Sequence, residues 1–346
     1  MILDQLSQPI VQAPMAGGVS TPALAAAVSN AGGLGFLAAG YRTADAVREQ
    51  IATTRTLTAE PFGINIFVPD TSTVDGEALA TYRERLAAEA RRYRVELADP
   101  ADDDDAWAAK LALVQEEQVP VVSFTFGCPD PTVLTELREA GCTTVVTVTS
   151  AGEALTAAAA GADALCVQGT EAGGHRGTFH NTDPVDDTAL LPLLRKVSAA
   201  VTVPLIAAGG LSGGRDVAAV LVAGARAAQL GTMFLACPEA GTNPVHRASL
   251  PGDRPTAVTR AFTGRPARGL VNRFLVEHTA AAPAAYPHIH HLTKVLRQAG
   301  DPEAMSLWAG QAHEFARTAP AADVVRDLGA GARAALTETA LRWSAG

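Results

Sequence analysis

Short apolar runs recur along the first two thirds of the chain, each followed by a turn containing Gly or Pro and then an Ala-rich stretch. The runs Ile10–Ala13, Gly35–Ala38, Gly63–Phe67, Val121–Phe124, Thr144–Val148, Ala164–Val167, Leu205–Ala208 and Ala227–Leu230 predict eight strands. Most are continuously apolar rather than alternating, as in a parallel sheet covered on both faces. Helices are predicted over 22–31, 43–57, 76–96, 104–118, 131–140, 151–160, 187–199 and 213–223. This α/β rhythm suits a (β/α)8 TIM barrel. A doubly wound open sheet is the alternative, but polar motifs follow many strands instead of gathering at one switch point.

After Cys237 the rhythm stops. Residues 238–320 carry prolines, Arg/Gly connections, a histidine cluster and weak strand signals. The expected division is a barrel over 1–236 and a smaller, mainly helical segment over 237–320 that covers its mouth. The last stretch, about 321–346, contains a predicted helix over 323–344 that returns to the barrel.

Composition narrows the classes. Of 346 residues, 48% are hydrophobic and 18% charged, so a large core is expected and global disorder is not. The net charge of −9, with no basic stripe, argues against a nucleic-acid partner. The apolar stretch 22–40 is broken by Gly32, Gly33 and Gly35, and the N-terminus lacks a basic start, so a cytoplasmic protein without a membrane span is expected. Cys128, Cys142, Cys166 and Cys237 are widely spaced, which disfavours disulfides and structural zinc and predicts buried thiols for at least Cys142 and Cys166.

In a barrel, chemistry belongs at the C-terminal ends of the strands. The sixth predicted strand runs into Gln168-Gly-Thr-Glu-Ala-Gly-Gly-His-Arg-Gly177, whose four glycines allow close approach of a ligand. His175, between Glu171 and Arg176 in that flexible loop, is a candidate proton acceptor near neutral pH. After the seventh and eighth strands come Ala207-Ala-Gly-Gly-Leu-Ser-Gly-Gly214 and Gln229-Leu-Gly-Thr-Met-Phe234. Their Gly209, Gly210, Gly231 and Thr232 suit phosphate binding through backbone amides. Neither loop has a Walker A or G-x-G-x-x-G pattern. Asn65 and Gln168 are strand amides that need partners, and either a heteroaromatic ligand edge or a neighbouring backbone would serve.

Further along, Tyr286, His290 and Lys294 fall at i, i+4 and i+8, which a helix would place on one face at a substrate entrance. Metal binding by His288, His290 and His291 is disfavoured, because adjacent histidines diverge on a helix and no carboxylate has matching spacing. With four tyrosines in the chain, an aromatic pocket is expected to rely on Phe and His, Phe126 among them. The acidic run Asp102–Asp105 reads as a solvated charge cluster at a helix start.

The motifs Ala13-Pro-Met-Ala-Gly-Gly18, Gly63-Ile-Asn-Ile-Phe67, Val122-Ser-Phe-Thr-Phe-Gly127, Gly169-Thr-Glu-Ala-Gly-Gly-His-Arg-Gly177, Ala207-Ala-Gly-Gly210 and Gln229-Leu-Gly-Thr232 together resemble the nitronate monooxygenases, formerly 2-nitropropane dioxygenases. So do Phe262-Thr-Gly-Arg-Pro-Ala-Arg-Gly269 and Leu307-Trp-Ala-Gly-Gln311. The resemblance implies a TIM barrel with non-covalent FMN at its mouth and a substrate-side segment. It implies FMN contacts at Pro14, Met15, Asn65, Gln168, Gly173, Gly209, Gly210, Gln229, Leu230, Gly231 and Thr232. It implies His175 as the base toward a nitroalkane, or as an orienting group toward a nitronate such as propionate 3-nitronate, with O2 as oxidant and nitrite and a carbonyl as products. The oligomeric state is left open, a homo-oligomer included.

Two other readings remain. The same barrel with FMN serves an NAD(P)H:quinone or enoyl-thioester reductase, and a barrel of this kind can bind a phosphorylated ligand without turnover. A metal-dependent hydrolase is a more distant alternative.

Overall fold

A computed structural model describes residues 2–70, 72–184 and 186–344. Strands β1 (Ile10–Gln12), β2 (Gly35–Ala38), β3 (Phe62–Phe67), β4 (Val121–Thr125), β5 (Thr143–Val148) and β6 (Ala164–Gln168) run parallel with β8 (Leu205–Ala208) and β9 (Ala227–Leu230). The order β1-β9-β8-β6-β5-β4-β3-β2 closes on itself through a parallel bridge between Val11 and Leu34. The eight-stranded barrel expected from the apolar runs is therefore the fold.

Alternation within each strand explains those runs. Val121, Val145, Cys166, Ile206 and Ala227 pack in one cluster inside the barrel. Their neighbours Val122, Val146, Leu165, Ala207 and Ala228 pack outward in the cluster shared with the surrounding helices. Burying one such Val or Leu contributes roughly 1.5–3 kcal/mol. At Gly63, a Cβ would lie 2.3 Å from the Phe36 ring, so glycine makes room for the aromatic plug of the barrel floor.

Following the inward positions toward the C-terminal ends, the residues become small or polar. Val121 gives way to Ser123 and Thr125, Val145 to Thr147, Cys166 to Gln168, and Ala227 to Gln229. The same alternation that builds the core thus ends in a polar mouth.

The covering segment is mainly helical, with helices Pro244–Ser249, Arg273–His278 and His288–Arg297. It also holds a hairpin of β10 (Thr256–Thr259) and β11 (Ala267–Leu270) that the sequence pattern did not predict. β7 (Gly174–His175) joins that hairpin as a third antiparallel strand. The helix Gly76–Tyr93, from the β3–β4 connection, packs there too. Its Leu79, Tyr82 and Leu86 share a core with Phe262, Phe274, Ile289 and Leu292, and Tyr82 Oη donates to Ala261 O at 2.8 Å.

The terminal helix Ala321–Ser344 packs against the helices Gly214–Val222 and Pro22–Asn30. Gly214 meets Gly331 so closely that a Cβ on Gly214 would lie 2.4 Å from the Gly331 carbonyl carbon. All four cysteines are free, and Cys142, Cys166 and Cys237 are buried. No helix among the described residues is long and apolar enough to cross a membrane.

Candidate active site

The polar mouth opens into a cavity of about 870 Å3, within the size range of cofactor and small-molecule sites. Pro14, Met15, Asn65, Phe126, Gln168, Gly173, His175, Gly209, Gly210, Gln229, Leu230, Gly231, Thr232, His290 and Lys294 all line it. Of the cofactor, substrate and catalytic candidates named from the sequence, Tyr286 is the one that does not line the cavity. It precedes the helix His288–Arg297 instead of sharing its face, yet its ring centre is 6.2 Å from that of His175.

Loop shape follows from buried polar groups. Gln12 Oε1 accepts from Phe36 N at 2.8 Å, and its Nε2 donates to Ser20 Oγ, which in turn receives Met15 N at 2.9 Å. These bonds fix the loop 13–18. Asp216 Oδ2 accepts from Ser212 N and Gly213 N at 2.8 and 2.9 Å, shaping the turn after β8. Gly209 and Gly210 sit at φ +119° and +68°, conformations open to glycine. Their amides, and that of Gly231, have no protein acceptor among the described residues.

Gln168 resolves one open choice. Its Nε2 donates to His175 O at 2.9 Å and its Oε1 accepts from Gly177 N at 2.8 Å, so its amide staples the loop. Asn65 Nδ2 donates to Ser123 Oγ at 2.9 Å and Thr125 Oγ1 at 3.0 Å. Its Oδ1 accepts no hydrogen bond among the described residues, and Asn65 faces the cavity. The 168–177 loop is also less free than its four glycines suggest. β7 pairs with β11, Arg176 N donates to Pro266 O at 2.8 Å, and Arg176 Nη1 holds Gly169 O at 2.7 Å.

His175 Nε2 lies 2.9 Å from Thr263 Oγ1. Burial first, then the Arg265 and Arg297 guanidiniums, lower its pKa to about 3, so the imidazole is neutral at physiological pH. Around it stand Phe126, Tyr286 and Trp308, with ring centres 5.6, 6.2 and 5.5 Å away. Tyr41 stacks on His290 at 4.1 Å. Tyr41 and Trp308 therefore line the pocket, beyond the Phe and His expected. Phe126 is held at φ +79°, with Arg265 4.1 Å from its ring centre. That left-handed backbone is strain localised beside the imidazole.

Electrostatically the cavity is one-sided. Arg42, Lys294 and Arg297 line it, and among the described residues no Asp or Glu does. Arg297 donates to Thr293 Oγ1 and His290 O, at 3.1 and 2.8 Å, and has no carboxylate partner among the described residues. The flanking histidines are otherwise engaged: His288 meets Asp102 and His291 meets Asp103, each at 3.2 Å. The acidic run is thus more than a solvated helix start. The helix begins at Trp107, and Asp105 pairs with the fully buried Lys110 at 2.7 Å.

Among the described residues, Glu89, Glu277 and His278 form a group with metal-ligand spacing, but it lies off the cavity. Arg273 already bridges both carboxylates at 2.6 Å.

Sequence reasoning passed over Tyr41, Arg42, Thr263, Arg265, Arg297 and Trp308. Thr263, Arg265 and Trp308 lie inside two motifs quoted above, Phe262–Gly269 and Leu307–Gln311. That placement was the one available signal for them.

Unpartnered amides on glycines at the C-terminal ends of β8 and β9 fit a phosphate, and the small inward side chains beneath them fit a flat ring. Fold and site together define a barrel whose mouth is shaped for a phosphorylated aromatic cofactor, with a neutral imidazole on the cavity wall. A model of the nitronate monooxygenase family matches residues 2–331. The nitronate monooxygenase of Paraburkholderia phytofirmans is 41% identical, over 93% of this chain and 92% of its own. That of Pseudomonas aeruginosa is 40% identical, over 93% and 95%. The solved structure of nitroalkane oxidase from Streptomyces ansochromogenes is 52% identical, covers 98% and 99% of the two chains, and superposes with a TM-score of 0.94. FabK from Thermotoga maritima is 30% identical, with a TM-score of 0.75 over 98% of this chain and 97% of its own. The chain belongs to the nitronate monooxygenase family and is an FMN-dependent oxidoreductase.

Proposed function

We propose that the protein carries out oxidative denitrification of alkyl nitronates and nitroalkanes with O2, giving nitrite and a carbonyl product. The observation that carries this reading is a neutral His175 at a cavity lined by three cationic side chains and, among the described residues, no carboxylate. A nitronate is an anion, and its parent nitroalkane has an acidic C–H, so both suit that wall.

FMN would be held by the backbone of Pro14 and Met15, by Asn65, Gln168 and Gly173, and by Gly209, Gly210 and Gln229 to Thr232 (Leu230 and Gly231 between them). With both ends of its amide engaged in the loop, Gln168 would act by shaping the wall. Asn65 Oδ1 is available to a ring N–H. When bound, FMN supplies the redox chemistry, including the reaction with O2.

The protein's own residues move the proton. His175 takes the α-proton of a neutral nitroalkane; the C–H pair passes to the nitro group, and the product stays in the pocket as the nitronate. For a substrate that enters as a nitronate, this step falls away and His175 orients the anion. Phe126, Tyr286 and Trp308 exclude water around it, while Lys294, on the helix with His290, draws in an anionic substrate such as propionate 3-nitronate. A small-molecule enzyme of the cytoplasm, without a nucleic-acid partner, goes with this reading and with the net charge of −9.

Anaerobic mixing of the FMN-loaded protein with propionate 3-nitronate, and separately with NADPH, tests it by flavin absorbance. Bleaching by the nitronate but not by NADPH is expected, with O2 restoring the oxidised spectrum as nitrite appears. Bleaching by NADPH alone would move the protein to the reductase reading. Purified protein that releases no FMN on denaturation would favour ligand binding without turnover.

A further inference from the structure

We infer that Thr263 is a positioning residue that fixes His175 as the Nε2–H tautomer and leaves Nδ1 as the nitrogen that receives the substrate proton. The inference rests on the proton-transfer reading above.

Thr263 is 1% exposed and lies on the β10–β11 connection. A hydroxyl has one proton and two lone pairs. Here Oγ1 accepts from Arg265 N at 3.4 Å and donates to Arg265 O at 3.3 Å. Arg265 O receives no other hydrogen bond among the described residues. With the proton on that carbonyl, the remaining lone pair faces His175 Nε2 at 2.9 Å, and the ring nitrogen must be the donor. Turning the hydroxyl toward Nε2 would instead leave a buried carbonyl without its partner, which is unfavourable.

Nδ1 has no hydrogen-bond partner among the described residues, and His175 lines the cavity. The base is thus the other nitrogen. When Nδ1 takes a proton from the substrate carbon, the C–H bond breaks, the N–H bond forms and the electron pair stays on the nitronate. The Nε2–H bond to Thr263 then becomes charge-assisted and counters the repulsion of Arg265 and Arg297. Two attachments hold the ring: its own strand pairs with β11 at Ala267, and its side chain pairs with Thr263.

Nitrogen-15 NMR of the FMN-loaded, histidine-labelled protein reads the tautomer directly, with the His175 signal assigned by its loss in His175→Gln. A proton on Nε2 is expected, and a proton on Nδ1 would overturn the inference whatever the enzyme's substrate proves to be. Kinetics give the second arm. Thr263→Val should lower kcat/KM for nitroethane by on the order of 10²-fold, within the usual range for a general base. Its pH profile should shift, and turnover of pre-formed ethyl nitronate should fall clearly less than that of nitroethane. Thr263→Ser should restore the nitroethane rate. A Thr263→Val enzyme with the wild-type rate and pH profile on nitroethane would also overturn it. Failure of the wild type to oxidise either substrate would count against the functional reading alone, leaving the tautomer to the NMR.

Discussion

Asp103 and His291 meet at 3.2 Å and tie the acidic run before the helix Trp107–Glu116 to the helix that carries His290, Lys294 and Arg297 over the cavity. His288 repeats the contact one turn earlier with Asp102. The pair is partly exposed, 28% for His291 and 43% for Asp103, so it is worth less than about 1 kcal/mol. Asp103→Asn is therefore expected to raise opening of the helix His288–Arg297 by a few-fold at most, with the fold intact. Hydrogen exchange over 288–297 checks this. Unchanged protection there would show that the contact does not hold the helix.

A second prediction concerns Gly173. A Cβ at that position would lie 2.4 Å from Gly310 N, and Gly310 N is itself bound to Thr232 Oγ1 at 3.0 Å. Backbone cannot give way as a flexible side chain can, so Gly173→Ala would push residues 309–310 and Thr232 off the proposed cofactor wall. The purified variant should carry clearly less FMN than wild type, measured by flavin released on denaturation. Gly76→Ala is the control, since nothing lies within 4 Å of its added Cβ. Equal FMN content in Gly173→Ala would remove Gly173 from the proposed cofactor wall.

The eight barrel strands and the helices between them were legible because each strand is buried on both faces and reads as a continuous apolar run. The β10–β11 hairpin was not, because its pairing partner at Gly174–His175 is about ninety residues away in sequence and too short to carry a pattern. His175 stood out as a titratable residue among glycines. Arg265 and Arg297 did not, because an arginine in sequence reads as surface, and only the fold shows the first buried under Phe126 and the second facing the cavity. The acidic run was read alone as a solvated helix start, and the histidine cluster alone as a substrate entrance. Their meaning lies in the contact between them, which no local window contains.

Lys294 gives the third prediction. It is exposed, lines the cavity and meets no carboxylate there among the described residues. A substrate carboxylate would be its natural counter-ion, at a distance from the reacting carbon. Lys294→Met is expected to raise KM for propionate 3-nitronate by roughly tenfold, equivalent to about 1.4 kcal/mol of binding. KM for ethyl nitronate, which has no carboxylate, should move little, and kcat should hold for both. Equal effects on the two substrates would show that Lys294 does not read the carboxylate.

The fourth prediction is acid sensitivity set by buried histidines. Burial lowers His175 to about 3, His246 to about 4 and His290 to about 2, against 6.5 in an unfolded chain. Between pH 6.5 and about 4 the unfolded chain therefore binds protons that the folded one refuses, so stability is present above 6.5 and falls as pH drops. Each such group contributes up to about 1.4 kcal/mol per pH unit in that window, less where the fold relaxes to admit water. Tm of the FMN-loaded protein should hold above pH 7 and fall by several degrees from pH 6.5 to 5.5, where most carboxylates are still charged. His290→Gln should reduce the slope without abolishing it, because burial also lowers His175, His246 and His278. A Tm that stays flat to pH 5, or a slope untouched by His290→Gln, would mean these imidazoles accept protons in the folded state as readily as in solution.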